Sequence, residues 1–275
     1  MRIQIDYISL ILFSIFLFSC NKDEKPVEEK DRVIRFNPDI ETLSKSVTGT
    51  EFRQGTEIGV FAVPHGADPA VGLVMKNVRF VLEGSSFVQP GTDNPVKYPQ
   101  GGLDFYVYVP YSEQVANPLA AELLLGTDQQ VDDVSRKSEL FTAYSSEARE
   151  TGETLLLMRR ATCQILFKFE KRSPDTRIEF SRSRLRLPSK GIFNLKTGEL
   201  LRVSDFEYFA PYDAGENSLT HEYELFAFPG VEVNPNENRL YFTQDDIERC
   251  FAFPISTRFT GKTHTVIKDL IKDYE

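Results

Sequence analysis

Between Cys163 and Glu170 every second residue is apolar: Cys163, Ile165, Phe167 and Phe169 take one side, and Gln164, Lys168 and Glu170 the other. A period of two is the side-chain period of a β-strand, and a helix cannot gather such a set on one face. The pattern recurs along the chain. Ile58, Val60 and Ala62 share a face in the segment from Glu57 to Val63, and Val78, Phe80 and Leu82 do so between Asn77 and Glu83. Leu103 to Val109 is stopped by Pro110, and Glu153 to Met158 continues the series. Short runs rich in Val, Ile, Phe and Tyr, separated by Gly, Pro, Asn and Ser, predict an all-β chain. Two antiparallel β-sandwich domains, with short helical connections, are the expected fold class.

Two pairings follow from the turns. Gly191 to Leu195 is expected to pair with Glu199 to Val203 across Lys196-Thr197-Gly198, where Gly198 can take the positive φ of a tight turn. Glu222 to Phe228 is expected to pair with Arg239 to Phe242 across an Asn- and Pro-rich loop. Leu119, Leu123 and Leu124 suit a short helical turn, and the polar stretch from Asp128 to Lys137 reads as a long connection with brief helix. At the end of the chain, Val266, Ile267, Leu270, Ile271 and Tyr274 recur at helical spacing, whereas Thr263 to Ile267 reads as strand.

The first residues address the protein. An apolar run from Tyr7 to Phe18 follows Arg2 and ends in Ser19-Cys20, the layout of a secretory signal with a lipid-attachment cysteine. The run is shorter than the roughly 20 residues a membrane-crossing helix needs. Residues 1–19 are therefore expected to be a removed signal peptide, with lipid, palmitate included, on Cys20. Several acyl chains on one residue hold a soluble domain where a single chain does not. Residues 20–32 are rich in Lys, Asp and Glu and are expected to be a solvated tether. Residues 33–150 and 151–275 are the expected N-terminal and C-terminal domains.

Composition narrows the partners. A formal net charge of -9 argues against nucleic acid, whose phosphates would be repelled. The one basic stretch, Arg177 to Lys190 with Arg182, Arg184 and Arg186, places its charges on alternate residues, as on the solvated face of a strand. Cys163 and Cys250 either pair in an oxidising compartment or stay as buried thiols.

No catalytic residue, cofactor or metal site is expected. His65, His221 and His264 have no nearby partners in sequence, and His221-Glu222-Tyr223-Glu224-Leu225 lacks the second histidine of a zinc-protease helix. There is no GxSxG elbow and no phosphate-binding loop. A pair of carboxylates of the glycosidase kind is left open. Aromatic residues make up 12% of the chain, but it has no Trp, which weighs against a stacking platform for sugars.

A run of landmarks resembles one family. Gly55-Thr56-Glu57-Ile58-Gly59-Val60-Phe61-Ala62 is followed by Asn77-Val78-Arg79-Phe80, then Val96-Lys97-Tyr98-Pro99, then Phe105 to Tyr111 ending in Pro-Tyr. Ser138 to Ala143 and Leu155 to Phe169, with Arg159-Arg160-Ala161, continue the order. The segment from about Phe36 to Leu200 resembles the fimbrillin-like lipoproteins of Bacteroides-type (type V) fimbriae. The Lys-Asp-Glu behind Cys20 also resembles the signal that exports lipoproteins to the outer face of the outer membrane in such bacteria.

This resemblance implies two sandwich domains of transthyretin-like topology and a non-enzymatic surface role. It implies assembly in which a protease cuts after an Arg or Lys, releases the first strand and lets another subunit's strand fill the groove. Here that strand would be Val33 to Ile40, with Ile34 and Phe36 as its apolar side. Lys45 and Arg53 are the basic residues that follow, and Arg53 is the expected site of the cut. Other fimbrial subunits, the outer membrane through lipid, and a host or bacterial surface ligand are the expected partners. The partly helical reading of the C-terminus counts against a stalk subunit and favours a tip, an anchor or a stand-alone surface protein. A surface glycan-binding lipoprotein of a nutrient-uptake system is the alternative.

Overall fold

The computed structural model describes residues 32–41, 51–147, 152–234, 237–253, 257–259, 265–268 and 271–272. The first half contains β1 (Arg35–Ile40), β2 (Glu57–Pro64), β3 (Met75–Glu83), β4 (Ser86–Val88), β5 (Leu103–Val109) and β6 (Ala121–Leu124). A single turn-and-a-half helix, α1 (Asp132–Lys137), is followed by β7 (Phe141–Glu147) and β8 (Glu153–Arg160). The all-β expectation is met. Seven of these strands close on themselves in the order β1-β4-β3-β2-β5-β7-β8. Every pair in this barrel is antiparallel except β1 with β8, which run parallel over six registered positions.

The barrel interior is filled by alternate side chains, among them Phe36, Ile58, Val60, Phe80, Phe105 and Leu156. β2 and β5 are buried on their other face as well. Phe61, Val63, Tyr106 and Tyr108 point outward from the barrel and join a second core with Ile165, Phe167 and Phe193. A strand covered on both faces reads as a continuous apolar run, which is what Ile58 to Val63 and Phe105 to Val109 show. Gly59 lies opposite Tyr108 in the ladder and leaves room for its ring, which a side chain there would displace. The Tyr108 hydroxyl donates toward Asn77 Oδ1 at 2.7 Å and the Ser112 carbonyl at 2.8 Å. Burial pushes its pKa up to about 12.

The second half supplies β9 (Cys163–Glu170), β10 (Ile178–Ser183), β11 (Arg186–Asn194), β12 (Glu199–Tyr208), β13 (Tyr212–Glu216) and β14 (Thr220–Ala227). Six short strands follow: β15 (Glu232–Val233), β16 (Arg239–Gln244), β17 (Ile247–Ala252), β18 (Thr257–Arg258), β19 (Thr265–Lys268) and β20 (Ile271–Lys272). They form sheets in the orders β13-β14-β9-β19, β10-β16-β17-β20, β12-β11-β6 and β15-β18. Aromatic rings join the first two: Phe169 meets Phe242 with centroids 4.5 Å apart, and Phe167 meets Phe251 at 5.5 Å. Chain order and sheet membership do not coincide. β8, after residue 150, closes the barrel, whereas β6, before it, pairs with β11.

Several local expectations are corrected. Residues 121–124 are a strand and not a helical turn, because pairing with β11 buries Ala121 and Leu123 and turns Glu122 and Leu124 outward. Tertiary pairing overrides the local spacing of leucines. The brief helix lies at Asp132–Lys137, held by the i,i+4 pairs Asp132–Arg136 and Asp133–Lys137. β14 and β16 do not pair with each other. β14 lies between β13 and β9, and β16 between β10 and β17, so the two strands belong to different sheets. The expected hairpin at Gly198 is present and longer than read, with φ 71° at that glycine. At the end of the chain the strand reading of Thr263 to Ile267 is met at Thr265–Lys268, and Ile271–Lys272 is strand where a helical spacing is read; Leu270 and Tyr274 lie outside the described residues. β19 pairs in parallel with β9 and β20 pairs with β17, because both neighbours offer unfilled ladder positions.

Candidate subunit interface

The segment read as the first strand is described from Arg32 onward, and it is the most distinctive part of the barrel. Ile34 and Phe36 are 1% and 0% exposed. Phe36 sits edge-on to Phe80 and Phe105, each at 5.0 Å between centroids. Alternation turns Arg35 and Asp39 to solvent. Main-chain bonds extend the parallel ladder at both ends, from the Arg35 N–H to the Gly152 carbonyl at 2.7 Å and from the Glu41 N–H to the Met158 carbonyl at 2.9 Å. On the other side Val33 bridges Lys97, the Ile34 N–H donates to the Val96 carbonyl at 3.1 Å and the Tyr98 N–H donates to the Arg32 carbonyl at 2.9 Å. The strand's only registered pair with β4 is Phe36 with Phe87, supplemented by the Ser86 hydroxyl donating to Asn37 Oδ1 at 2.6 Å.

Arg53 is exposed and stands in the turn that leads into β2. Its neighbours are fastened. The Phe52 ring packs edge-on against Phe87 at 5.8 Å and Phe141 at 5.1 Å. The Gln54 amide donates to the Gly84 carbonyl at 2.7 Å and accepts from the Gly84 N–H at 2.8 Å. A break after Arg53 would therefore leave Gln54 fixed to the barrel and place Phe52 on the released side. Cys20, Lys45 and His264 lie outside the described residues.

The other residues singled out from the sequence go to structural positions. His65 Nδ1 lies 2.6 Å from Asp104 Oδ1, and the other carboxylate oxygen accepts from the Gly66 N–H at 2.9 Å. His221 stacks on Tyr223 at 4.7 Å and reaches Asp213 with Nε2 at 2.9 Å. Among the described residues no group of three or more His, Cys, Asp and Glu could hold a metal ion. Cys163 and Cys250 are both buried and neither is in a disulfide, which settles the pairing left open by the sequence. Burial pushes the Cys250 thiol up from its ordinary value. Arg182 lies over the Tyr241 ring at 3.8 Å and bonds Glu248 at 2.8 Å, so the alternating basic stretch includes a salt-bridged, exposed strand face.

Two carboxylates are raised above their ordinary range. Arg160 donates to Glu139 and, at 3.2 Å, to Gln164 Oε1; the Gln164 amide donates to Glu224 Oε2 at 2.6 Å. Burial raises the pKa of both Glu139 and Glu224, with Arg160 offsetting part of the first shift and Gln164 part of the second. This chain of contacts joins the segment before β7, the end of β8, and strands β9 and β14, so it is a joint between the barrel and the second half. Sequence reading did not find it, because its four members are spread from residue 139 to residue 224.

Fold and site together define an all-β protein whose first strand is deeply seated, paired over six positions with β8 and at one with β4. The chain belongs to the fimbrillin-like family, which matches residues 45–267. It is 28% identical over 164 residues to a protein of Bacteroides ovatus named as a candidate fimbrium tip subunit, Fim1C. That match takes in 52% of this chain and 29% of the relative, so the chain spans less than a third of that protein's length. A candidate cell adhesion protein from Bacteroides ovatus shares the fold with a TM-score of 0.60 at 17% identity, over 86% of this chain and 91% of that one. A candidate cell adhesion protein from Bacteroides uniformis does so with a TM-score of 0.57 at 13% identity, over 79% and 86%.

Proposed function

We propose that this chain is a surface-displayed fimbrial subunit or accessory protein that joins its partners by exchanging its first strand. The observation that carries the reading is the first segment: Ile34 and Phe36 complete the barrel core, and β1 pairs with β8 over six positions and with β4 at one. Removing such a strand uncovers an apolar slot and an unpaired ladder, and a strand from another subunit satisfies both. Lipid on Cys20 holds the precursor at the outer membrane, and a cut after exposed Arg53 releases β1 together with Phe52. A tip or accessory position follows the relative named as a candidate tip subunit.

The test is to express the full chain and an Arg53→Ala variant in a fimbriated host and to compare the sheared fimbrial fractions. The proposal expects mature chains beginning at Gln54 in the wild-type fraction and loss of incorporation for the variant. Chains that reach that fraction uncut would sink it. Labelling with a palmitate analogue tests the anchor, with label expected on the precursor and none on a Cys20→Ala chain.

A further inference from the structure

β8 depends on β1 for most of its main-chain pairing. It is registered with β1 over six positions, Glu153 to Met158, and with β7 at two, Arg159 and Arg160. Among the described residues, 153–158 therefore have one registered neighbour, and departure of β1 leaves that stretch without a ladder. Leu156 and Met158 keep its farther part in the barrel core. Thr154 lies at the nearer part, in register with Phe36 and 1% exposed.

Thr154 is tied from across the first strand. Tyr98 belongs to the segment that pairs with Arg32 to Ile34 on the side away from β8. It is 3% exposed, its ring sits edge-on to Phe105 at 5.6 Å inside the barrel, and its hydroxyl hydrogen-bonds the Thr154 hydroxyl. The two residues flank the first strand on opposite sides and meet in the core, so the bond crosses beneath that strand. It joins the two walls of the slot without using any atom of the strand that fills it. Walls on either side of one strand stand about 9.5 Å apart, a span that a tyrosine reaching a threonine can bridge. The Tyr98 wall has a further fastening outside the slot, where the Val96 N–H donates to Gln89 Oε1 at 3.0 Å.

We infer that Tyr98 is a positioning residue for the strand exchange proposed above, a role that stands only with that exchange. Through Thr154 it holds β8 one strand's width from residues 96–98 while the slot is empty. An incoming strand then meets two walls already at ladder spacing and does not have to order them, which removes part of the cost of binding. While β1 is in place its own main-chain bonds hold both walls, and the Tyr98–Thr154 bond adds little. Its effect is felt between the loss of one strand and the arrival of the next.

The test starts from the full chain, cut with a trypsin-like protease and freed of its first segment in mild denaturant. A synthetic peptide of residues 32–41 serves as the incoming strand. Fluorescence anisotropy reads its binding, and amide hydrogen exchange at residues 153–158 reads the order of β8. Tyr98→Phe and Thr154→Val each remove the bond, and the double variant removes both hydroxyls so that neither is left buried without the other. Uncut, the double variant is expected to melt close to the wild type with unchanged protection at 153–158. Emptied, it is expected to exchange faster there and to bind the peptide about five-fold more weakly. Thr154→Ser, which keeps a hydroxyl, is expected to bind like the wild type. Peptide binding or protection in the emptied double variant equal to the wild type would overturn the role of Tyr98 and leave strand exchange standing. Protection already lost in the uncut double variant would overturn it too, because the bond would then be structural only. An emptied wild-type chain that binds no peptide would sink strand exchange and the role of Tyr98 together.

Discussion

Phe36 meets Phe105 edge-to-face at 5.0 Å inside the barrel, which ties the first strand of the chain to the central strand β5. The contact joins residues far apart in sequence, and Phe36 is fully buried in making it. Truncation to alanine removes an aromatic side chain from a packed core. Phe36→Ala is expected to lower stability by about 3–5 kcal/mol, whereas Arg35→Ala, on the solvent side of the same strand, is expected to change it by less than about 0.5 kcal/mol. Urea denaturation of the two variants checks the difference.

The Tyr223 hydroxyl, which caps the outer edge of β10, gives a second outcome. Tyr223→Phe keeps the ring against Phe169 and Phe242 but removes the hydroxyl that serves Phe180 and Ile178. Leaving those main-chain groups without a partner is expected to cost about 1–3 kcal/mol. Aggregation measured by light scattering should rise as well, since the uncapped edge can pair with other chains.

The joint between the barrel and the second half makes stability depend on pH in a stated direction. Burial raises Glu224 above its ordinary value of 4.5, so the folded chain binds its proton more tightly than the unfolded chain. The stability this gives is fully present below the unfolded value and is lost as pH rises through the folded one. Glu224→Gln retains an acceptor for Gln164 and removes the buried charge. Its melting midpoint should exceed the wild type at about pH 7, with the gain vanishing near pH 4. Glu139→Gln should act in the same direction, because burial raises Glu139 as well and outweighs the neighbouring Arg160.

The thiols are expected to be inert. With Cys163 and Cys250 buried and outside any disulfide, a reductant should leave the melting midpoint unchanged. An alkylating reagent followed by mass spectrometry should modify the two only after unfolding.

Much of the fold can be read from period-two alternation, because a strand with one or both faces buried writes that burial into its side chains. Leu103 to Val109 and Cys163 to Glu170 have the same limits in sequence and structure. Partner choice is less visible. Nothing local to Glu222 or Arg239 says that their strands enter different sheets, and nothing in Ile34 or Phe36 says that β8 is the parallel neighbour. Those pairings join distant residues, Thr220 with Glu170, Ile178 with Gln244 and Arg35 with Glu153 among them. The helical spacing at Val266, Ile267 and Ile271 misled for a related reason, since it yields where β9 and β17 offer ladder positions. Arg53 was legible as a basic residue in a loop, but the anchoring of Phe52 and Gln54 on either side was not. Gln129 and Tyr223 look like ordinary polar and aromatic residues until the main-chain groups they bond, on β14 and β10, are seen.

The central claim concerns strand exchange at β1, and native mass spectrometry after treatment with a trypsin-like protease tests it most directly. A synthetic peptide of residues 32–41 carrying a heavy-isotope label, and the same peptide with Phe36→Ala, are added to the cut chain. The predicted result is a core beginning at Gln54 that loses its own first segment, takes up the labelled peptide and discriminates against the alanine form. A core that keeps its original strand, or that loses it and captures neither peptide, would contradict the account.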